Sequence, residues 1–167
     1  MAGIECSIFV AVDQDRHGYT RTVNEALSNV GGDAAILVDD CEVRTGWLAT
    51  LQKEVYKRDS LKVWFAGPSG PCRTWPQNSG RPGDNRRPKL VSHVAGFCIY
   101  ARHEAVLLGL DEQYVHYASD VDWQRRAQRD HGARALWVPS VYVGHALHEP
   151  HMEWWQHDHE LLRQEWG

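Results

Sequence analysis

Four residues in this chain have the types and neighbours needed for catalysis at a phosphate or sugar. Asp39 and Asp40 stand side by side after the apolar run "AAILV". Neighbouring carboxylates repel, and burying an unpaired one is costly. They are also hard oxygen ligands suited to Mn2+ or Mg2+, with room left for water and phosphate oxygens. The alternative is an acidic turn whose side chains satisfy backbone donors. Asp120, in "YASDVDWQRR", falls in the first turn of an expected helix. The helix dipole there favours an ionised carboxylate, the form a general base needs. Ser119 and Asp122 have the spacing of a capping box, which would do no more than start that helix. His145, in "YVGHALHEP", follows a strand and can share a rim with Asp40. Imidazole suits manganese-type sites, though a polar loop histidine has the same signature. His148, His151, His157 and His159 crowd nearby. His157 and His159 are two apart on an expected helix and do not share a face, so a solvated surface is the expectation for that group.

The elements that would carry these residues alternate. "IECSIFVAV" (Ile4 to Val12) reads as a first strand. "YTRTVNEALSNV" places Tyr19, Val23, Ala26, Leu27 and Val30 on one helical face, and Gly31 suits the position just past a helix end. "AAILV" is a short buried strand. Thr45 can cap a helix carrying Trp47, Leu48, Leu51 and Val55. "LKVWFAG" (Leu61 to Gly67) and "SHVAGFCIYA" (Ser92 to Ala101) are strands. "RHEAVLLGL" is a short helix, and Ser119 to Gly132 a longer one. "ARALWVPSVYVGH" is a strand interrupted near Pro139. Residues 151–167 form an amphipathic helix, with Met152, Trp155, Leu162 and Trp166 toward the body. The pattern predicts one α/β domain over residues 1–167, a mostly parallel sheet flanked by helices, with ligands at the carboxyl ends of strands.

Between Pro68 and Lys89 lie five of the seven prolines, three glycines and a set of basic residues: Arg73, Arg81, Arg86, Arg87 and Lys89. Loops this long inside a domain are functional or disordered. The basic side chains could hold phosphate or an acidic acceptor, or simply be solvated. With only Trp75 among them, they do not point to nucleic acid. Net charge is -4, from 18 basic and 22 acidic residues, so the chain has no general pull toward nucleic acid or anionic lipid. Hydrophobic residues make up 43% of 167, enough for a globular core. No apolar run is long enough to cross a bilayer, and the first residues lack the pattern of an export signal. The scattered Cys6, Cys41, Cys72 and Cys98 form no zinc spacing and fit reduced thiols in a cytoplasmic protein.

Taken in order, these segments resemble the family 2 glycosyltransferases of the GT-A fold, from about Gly18 to His145. "GYTRTVNEALSNVGGDAAILVDDCEVRTGWLATL" is similar to the family stretch that runs through Gly18, Asn24, Gly32-Asp33, the acidic metal motif and Trp47-Leu48. The second half is similar on the acceptor side: the Gly96 strand, the turn at Gly109, Asp111 and Glu112, the acidic pair Asp120 and Asp122 before an arginine-bearing helix, and a final histidine. The resemblance implies a GT-A-like fold and an inverting transferase using a nucleotide-sugar donor (UDP-, GDP- or dTDP-linked). A divalent metal, Mn2+ or Mg2+, would be held by Asp40 and His145. Asp39, Asn24 and Gly18 would serve the donor side. Asp120 would be the base, and Gly96, Asp111, Glu112 and Asp122 would line the acceptor side. The chain departs from the pattern at Val38, where an acidic residue is usual, and at Ser119, where glutamate is usual. Only one expected strand precedes the Gly18 helix, where the family has a strand-helix-strand nucleoside cradle. Asp13 or Asp15 would then serve a reduced cradle, or a partner chain would supply the surface. The alternative function is a degenerate GT-A-fold binding module without turnover.

Overall fold

The computed structural model describes residues 2–167. A five-stranded mixed sheet lies between helices, with a two-stranded ribbon beside it. The elements are α1 (Tyr19–Leu27), β1 (Ala34–Leu37), β2 (Cys41–Glu42), α2 (Trp47–Tyr56), β3 (Val63–Ser69), β4 (Lys89–Val91), β5 (Cys98–Ala101), α3 (His103–Leu108), α4 (Ser119–His131), β6 (Arg134–Tyr142), β7 (Gly144–His145) and α5 (Met152–Trp166).

The sheet order is β1-β5-β3-β6-β4, and β2 pairs with β7. Strands β1, β3 and β6 run in one direction, as the sequence pattern predicts. The sheet is nonetheless not mostly parallel. β5 inserts antiparallel between β1 and β3, and β4 adds antiparallel to the far side of β6. Among the described residues only β3 and β6 are parallel neighbours. Because β1, β3 and β6 share a direction, Leu37, Ser69 and Tyr142 end on one rim.

The two faces of the sheet bury two cores. On one face Val23 and Leu27 of α1, Ala105 and Val106 of α3, and Trp123 and Ala127 of α4 pack on Phe65, Ile99 and Ala135. Trp123 meets Phe65 edge-on, with ring centroids 4.9 Å apart, a favoured aromatic geometry. On the other face Leu48, Leu51 and Val55 of α2 cover Ala66, Tyr100, Leu136 and Val138. At the opening end of β1, Asp33 accepts bonds from the Tyr56 and Tyr100 hydroxyls and from the His103 N–H, tying α2, β5 and α3 together away from the rim.

Several sequence expectations are corrected. Ile4 to Val12 is not a strand, because no neighbour supplies a ladder; Ile8, Phe9, Val10 and Val12 stand in solvent. The strand expected over Ser92 to Ala101 begins only at Cys98. Side-chain amides occupy the backbone before it: Gln124 bonds both the N–H and C=O of Val94, and Gln77 takes the N–H of Ala95. The expected interruption at Pro139 is a bulge, where the β3 partner steps from Val138 to Tyr142. Thr45 does not cap α2; Gly46, left-handed at φ 79°, precedes it. No capping box starts α4 either. Ala118 is left-handed at φ 59°, and the buried Ser119 hydroxyl has no hydrogen-bond partner. In α5, Met152 and Trp155 face solvent, and the buried residue is Asp158.

Candidate functional site

The rim at the ends of β1, β3 and β6 gathers the residues singled out in the sequence. Asp40 sits in the turn between β1 and β2, and His145 ends β7, which pairs with β2 through Cys41. That ribbon brings His145 Nε2 to 3.6 Å from Asp40 Oδ1. His145 Nδ1 lies 3.0 Å from the Pro71 carbonyl, and its ring stacks on Phe97 with centroids 5.0 Å apart. A carbonyl can only accept, so Nδ1 carries a proton, and Nε2 is the nitrogen that faces the carboxylate. With Nε2 unprotonated, the two atoms could share a cation, and the Pro71 contact would fix the tautomer of such an imidazole. Ligand atoms each ~2.1 Å from a small hard cation lie ~3 Å apart at right angles and ~4 Å apart when opposed, and the 3.6 Å Asp40–His145 gap falls between these limits. His148 reaches the other oxygen, Asp40 Oδ2, at 3.0 Å from an exposed position. Asp39 is exposed beside them. Among the described residues no group of three or more His, Cys, Asp or Glu side chains is arranged to hold a metal alone. Asp40 and His145 would therefore be the protein's share of a coordination shell completed by water and phosphate, the usual arrangement for magnesium-like ions.

The segment Gly96-Phe97 links this pair to Asp120. Phe97 contacts the Asp40–His145 side: its ring stacks on His145, and its carbonyl accepts the Val38 N–H at 3.1 Å and the Cys41 thiol at 3.3 Å. One residue earlier, a Cβ built on Gly96 would lie 3.1 Å from Asp120 Oδ2, so the residue must stay small for this carboxylate to sit here. The backbone of Gly96, Val121 and Asp120 itself faces the carboxyl. Burial nevertheless outweighs those contacts and the nearby His93, and it lifts the Asp120 carboxyl above the ordinary aspartate value. The dipole-lowered carboxylate expected from sequence is thus reversed in sign: desolvation beats the helix dipole. Burial also lowers the His93 imidazole, despite the pull of Asp120. It likewise pushes the Cys41 thiol up to about 12, with Asp40 and Asp39 adding to the rise, so that cysteine is no nucleophile.

The remaining sequence candidates lie farther along the same wall. Gly18 opens α1 at φ 96°, where a Cβ would come within 2.3 Å of the Val115 carbonyl, so only glycine fits. Asp13 accepts the N–H groups of His17 and Gly18. Asn24 bonds the N–H and C=O of Leu110 and one carboxylate oxygen of Glu112, pinning α1 to the turn before α4. Asp111 closes that turn on the Gln113 N–H. Asp122 is fully buried, pairing with Arg126 at 2.7 Å and accepting from the Trp166 indole at 3.0 Å. Asn24 thus engages Glu112, and Asp122 is tied to Arg126 and α5, while His145 and Asp120 touch the adjacent residues Phe97 and Gly96.

Sequence reasoning missed Asp158. It is fully buried in α5 and accepts the consecutive N–H groups of Val115, His116 and Tyr117 at 3.0, 2.8 and 2.7 Å. That loop leads directly into Ala118 and Asp120, so α5 fixes the approach to the candidate base. The readable signal was a carboxylate at apolar spacing, with Trp154 four residues before and Leu161 and Leu162 just after. The long loop is also pinned. Arg86 bonds Asp84 and the Ser79 carbonyl, and its guanidinium lies 4.7 Å from the Trp137 ring centre. No helix among the described residues is long and apolar enough to cross a membrane. No family model matches the sequence, and no curated protein sequence matches it.

Proposed function

We propose that the chain is a metal-dependent inverting glycosyltransferase of GT-A type, moving a sugar from a nucleotide-sugar donor to an acceptor hydroxyl. The single observation that carries the reading is the shared position of three groups: Asp40 faces His145, whose ring stacks on Phe97, and Asp120 rests against the adjacent Gly96. A divalent cation bound by Asp40 and His145 would supply Lewis-acid neutralisation of charge on the leaving diphosphate. Pro71 and Phe97 hold His145 so that Nε2 points at Asp40. Asp120 takes the proton of the acceptor hydroxyl as that oxygen bonds to the anomeric carbon and the bond to the donor phosphate breaks, with inversion. A carboxylate made more basic by burial is better matched to that transfer than an ordinary one.

A second reading, a binding module that holds a nucleotide or sugar without turnover, draws on a specific observation. Residues 5–12 do not join the sheet, so among the described residues none forms a strand-helix-strand cradle before α1. One experiment separates the two. Nucleotide sugars are screened by thermal shift with and without Mn2+, on wild type and Asp40→Ala, followed by transfer assays on Asp120→Asn. Metal-dependent stabilisation that is lost in Asp40→Ala, with transfer lost but donor binding kept in Asp120→Asn, is the expected result. Unaltered Mn2+-dependent binding in Asp40→Ala would remove the metal assignment. Donor binding by a wild type that never transfers would favour the module.

A further inference from the structure

The segment Glu5 to Val12 is anchored at both ends and is exposed along its length among the described residues. Before it, the Ala49 N–H bonds the Ala2 carbonyl at 3.1 Å, Gly3 lies against Gly46, and Ala2 and Ile4 pack on the α2 core. After it, the Asp13 carboxylate takes the N–H groups of His17 and Gly18 at the start of α1. Since α1 and α2 lie on opposite faces of the sheet, the segment passes from one face to the other. Along it, Ile8 is 84% exposed, Phe9 58%, Val10 84% and Val12 67%. Their summed apolar surface is on the order of 500 Å², as large as the largest patch on a typical monomer. The residues are β-branched or aromatic, the composition of a strand, yet they have no ladder.

The same molecule carries an unfilled place for a strand. β1 ends the sheet order and pairs only with β5, so its outer edge is open, and Leu37 on it is 37% exposed. Open edges are templates for another strand. The segment is flanked by Glu5, Asp13 and Asp15, which argues against an anionic membrane as its occupant. Two such segments bury about 1,000 Å², and with two strand edges added the total reaches the ~1,200 Å² at which specific interfaces begin.

We infer that residues 5–12 of one copy pair with the open edge of β1 in a second copy, reciprocally, to give a closed two-fold dimer. Reciprocity uses the same two surfaces on each chain, so the pairing terminates at two. The β1 edge that would be covered runs toward the Asp39-Asp40 turn. The inference does not depend on the transferase reading, because its readout is mass and amide protection.

The test compares wild type with the double variant Ile8→Lys, Val10→Lys by sedimentation across a concentration series and by hydrogen exchange. Both positions are solvent-exposed, so the variant keeps its fold, which circular dichroism checks. Wild type is expected to sediment as a dimer with slow exchange in β1. The variant is expected to dissociate about a hundredfold more readily and to lose the β1 protection with it. A wild type that stays monomeric at every concentration overturns the inference. So does a dimer that survives the double substitution, a dimer with unprotected β1 amides, or growth beyond two copies.

Discussion

Replacing Asp158 with alanine tests whether α5 holds the lead-in to Asp120. The carboxylate accepts three backbone N–H groups at 2.7 to 3.0 Å from a fully buried position. Hydrogen bonds to a charged group contribute ~1.5–3 kcal/mol each, and donors left without partners cost a similar amount. The three are part-buried and water can reach some of them, so the loss expected is about 3–5 kcal/mol rather than the full sum. In a domain of this size each kcal/mol moves the midpoint by ~2–4 °C, giving a fall of roughly 6–20 °C. Asp158→Asn keeps one acceptor oxygen and should lose about half as much. Thermal melts give the size, and hydrogen exchange at residues 115–118 gives the place: those amides should lose protection before the β3 and β6 amides do. A fall under about 3 °C with unchanged exchange at 115–118 would refute the argument, because three satisfied donors cannot be that cheap to abandon.

Gly96→Ala forces a methyl to within 3.1 Å of Asp120 Oδ2, so the carboxylate must shift by a few tenths of an ångström. Transfer should fall about tenfold or more while Mn2+-dependent donor binding holds, and equal activity would separate Gly96 from the base. For Asp120→Asn, the sign follows from burial. The folded carboxyl is raised above its ordinary 3.8, so its ionised form costs stability at neutral pH, and that cost disappears as pH falls through the raised value toward 3.8. The variant should melt higher than wild type near pH 7, with the gap closing in acid. A gap that is constant with pH would contradict the burial argument. Asn24→Ala removes bonds to both backbone groups of Leu110 and to Glu112, and should destabilise by about 1–3 kcal/mol. If nucleotide binding is lost in proportion beyond the melting change, Asn24 has a role at the donor as well.

The helices were legible because their apolar spacing is regular: Val23 and Leu27, then Leu48, Leu51 and Val55, fall inward as the pattern requires. The rim was legible too, since Asp40 and His145 each follow a strand of the same direction. Sheet order was not. Nothing local in Cys98 to Ala101 distinguishes a strand antiparallel to both neighbours from one parallel to them, because a fully buried strand has the same apolar run in either case. The segment Ile4 to Val12 misled for a related reason: composition gives a strand's preference but not its partner. The ionisation of Asp120 was misread because the helix dipole is visible in sequence, whereas the desolvation that exceeds it depends on the packing around Gly96.

Strand β6 comes late in the chain, yet much of the earlier chain depends on it. It pairs with β3 on one side and β4 on the other, its Trp137 indole donates to the Ser69 hydroxyl, and the same ring lies under Arg86. Trp137 is also the register partner of Lys89, forty-eight residues upstream. On a ribosome adding ~5–20 residues per second, β4 and the proline-rich loop therefore wait several seconds for the strand that organises them. Until β5 is made "VWFAG" of β3 has neither flanking strand, and after that its β6 side stays open for the rest of the interval. A nascent chain stalled or truncated before Arg134 would expose that apolar stretch together with an unpinned, arginine-rich loop. Chaperone dependence and proteolysis during synthesis should accordingly concentrate between residues 63 and 91, the region that in the finished fold is held from both sides.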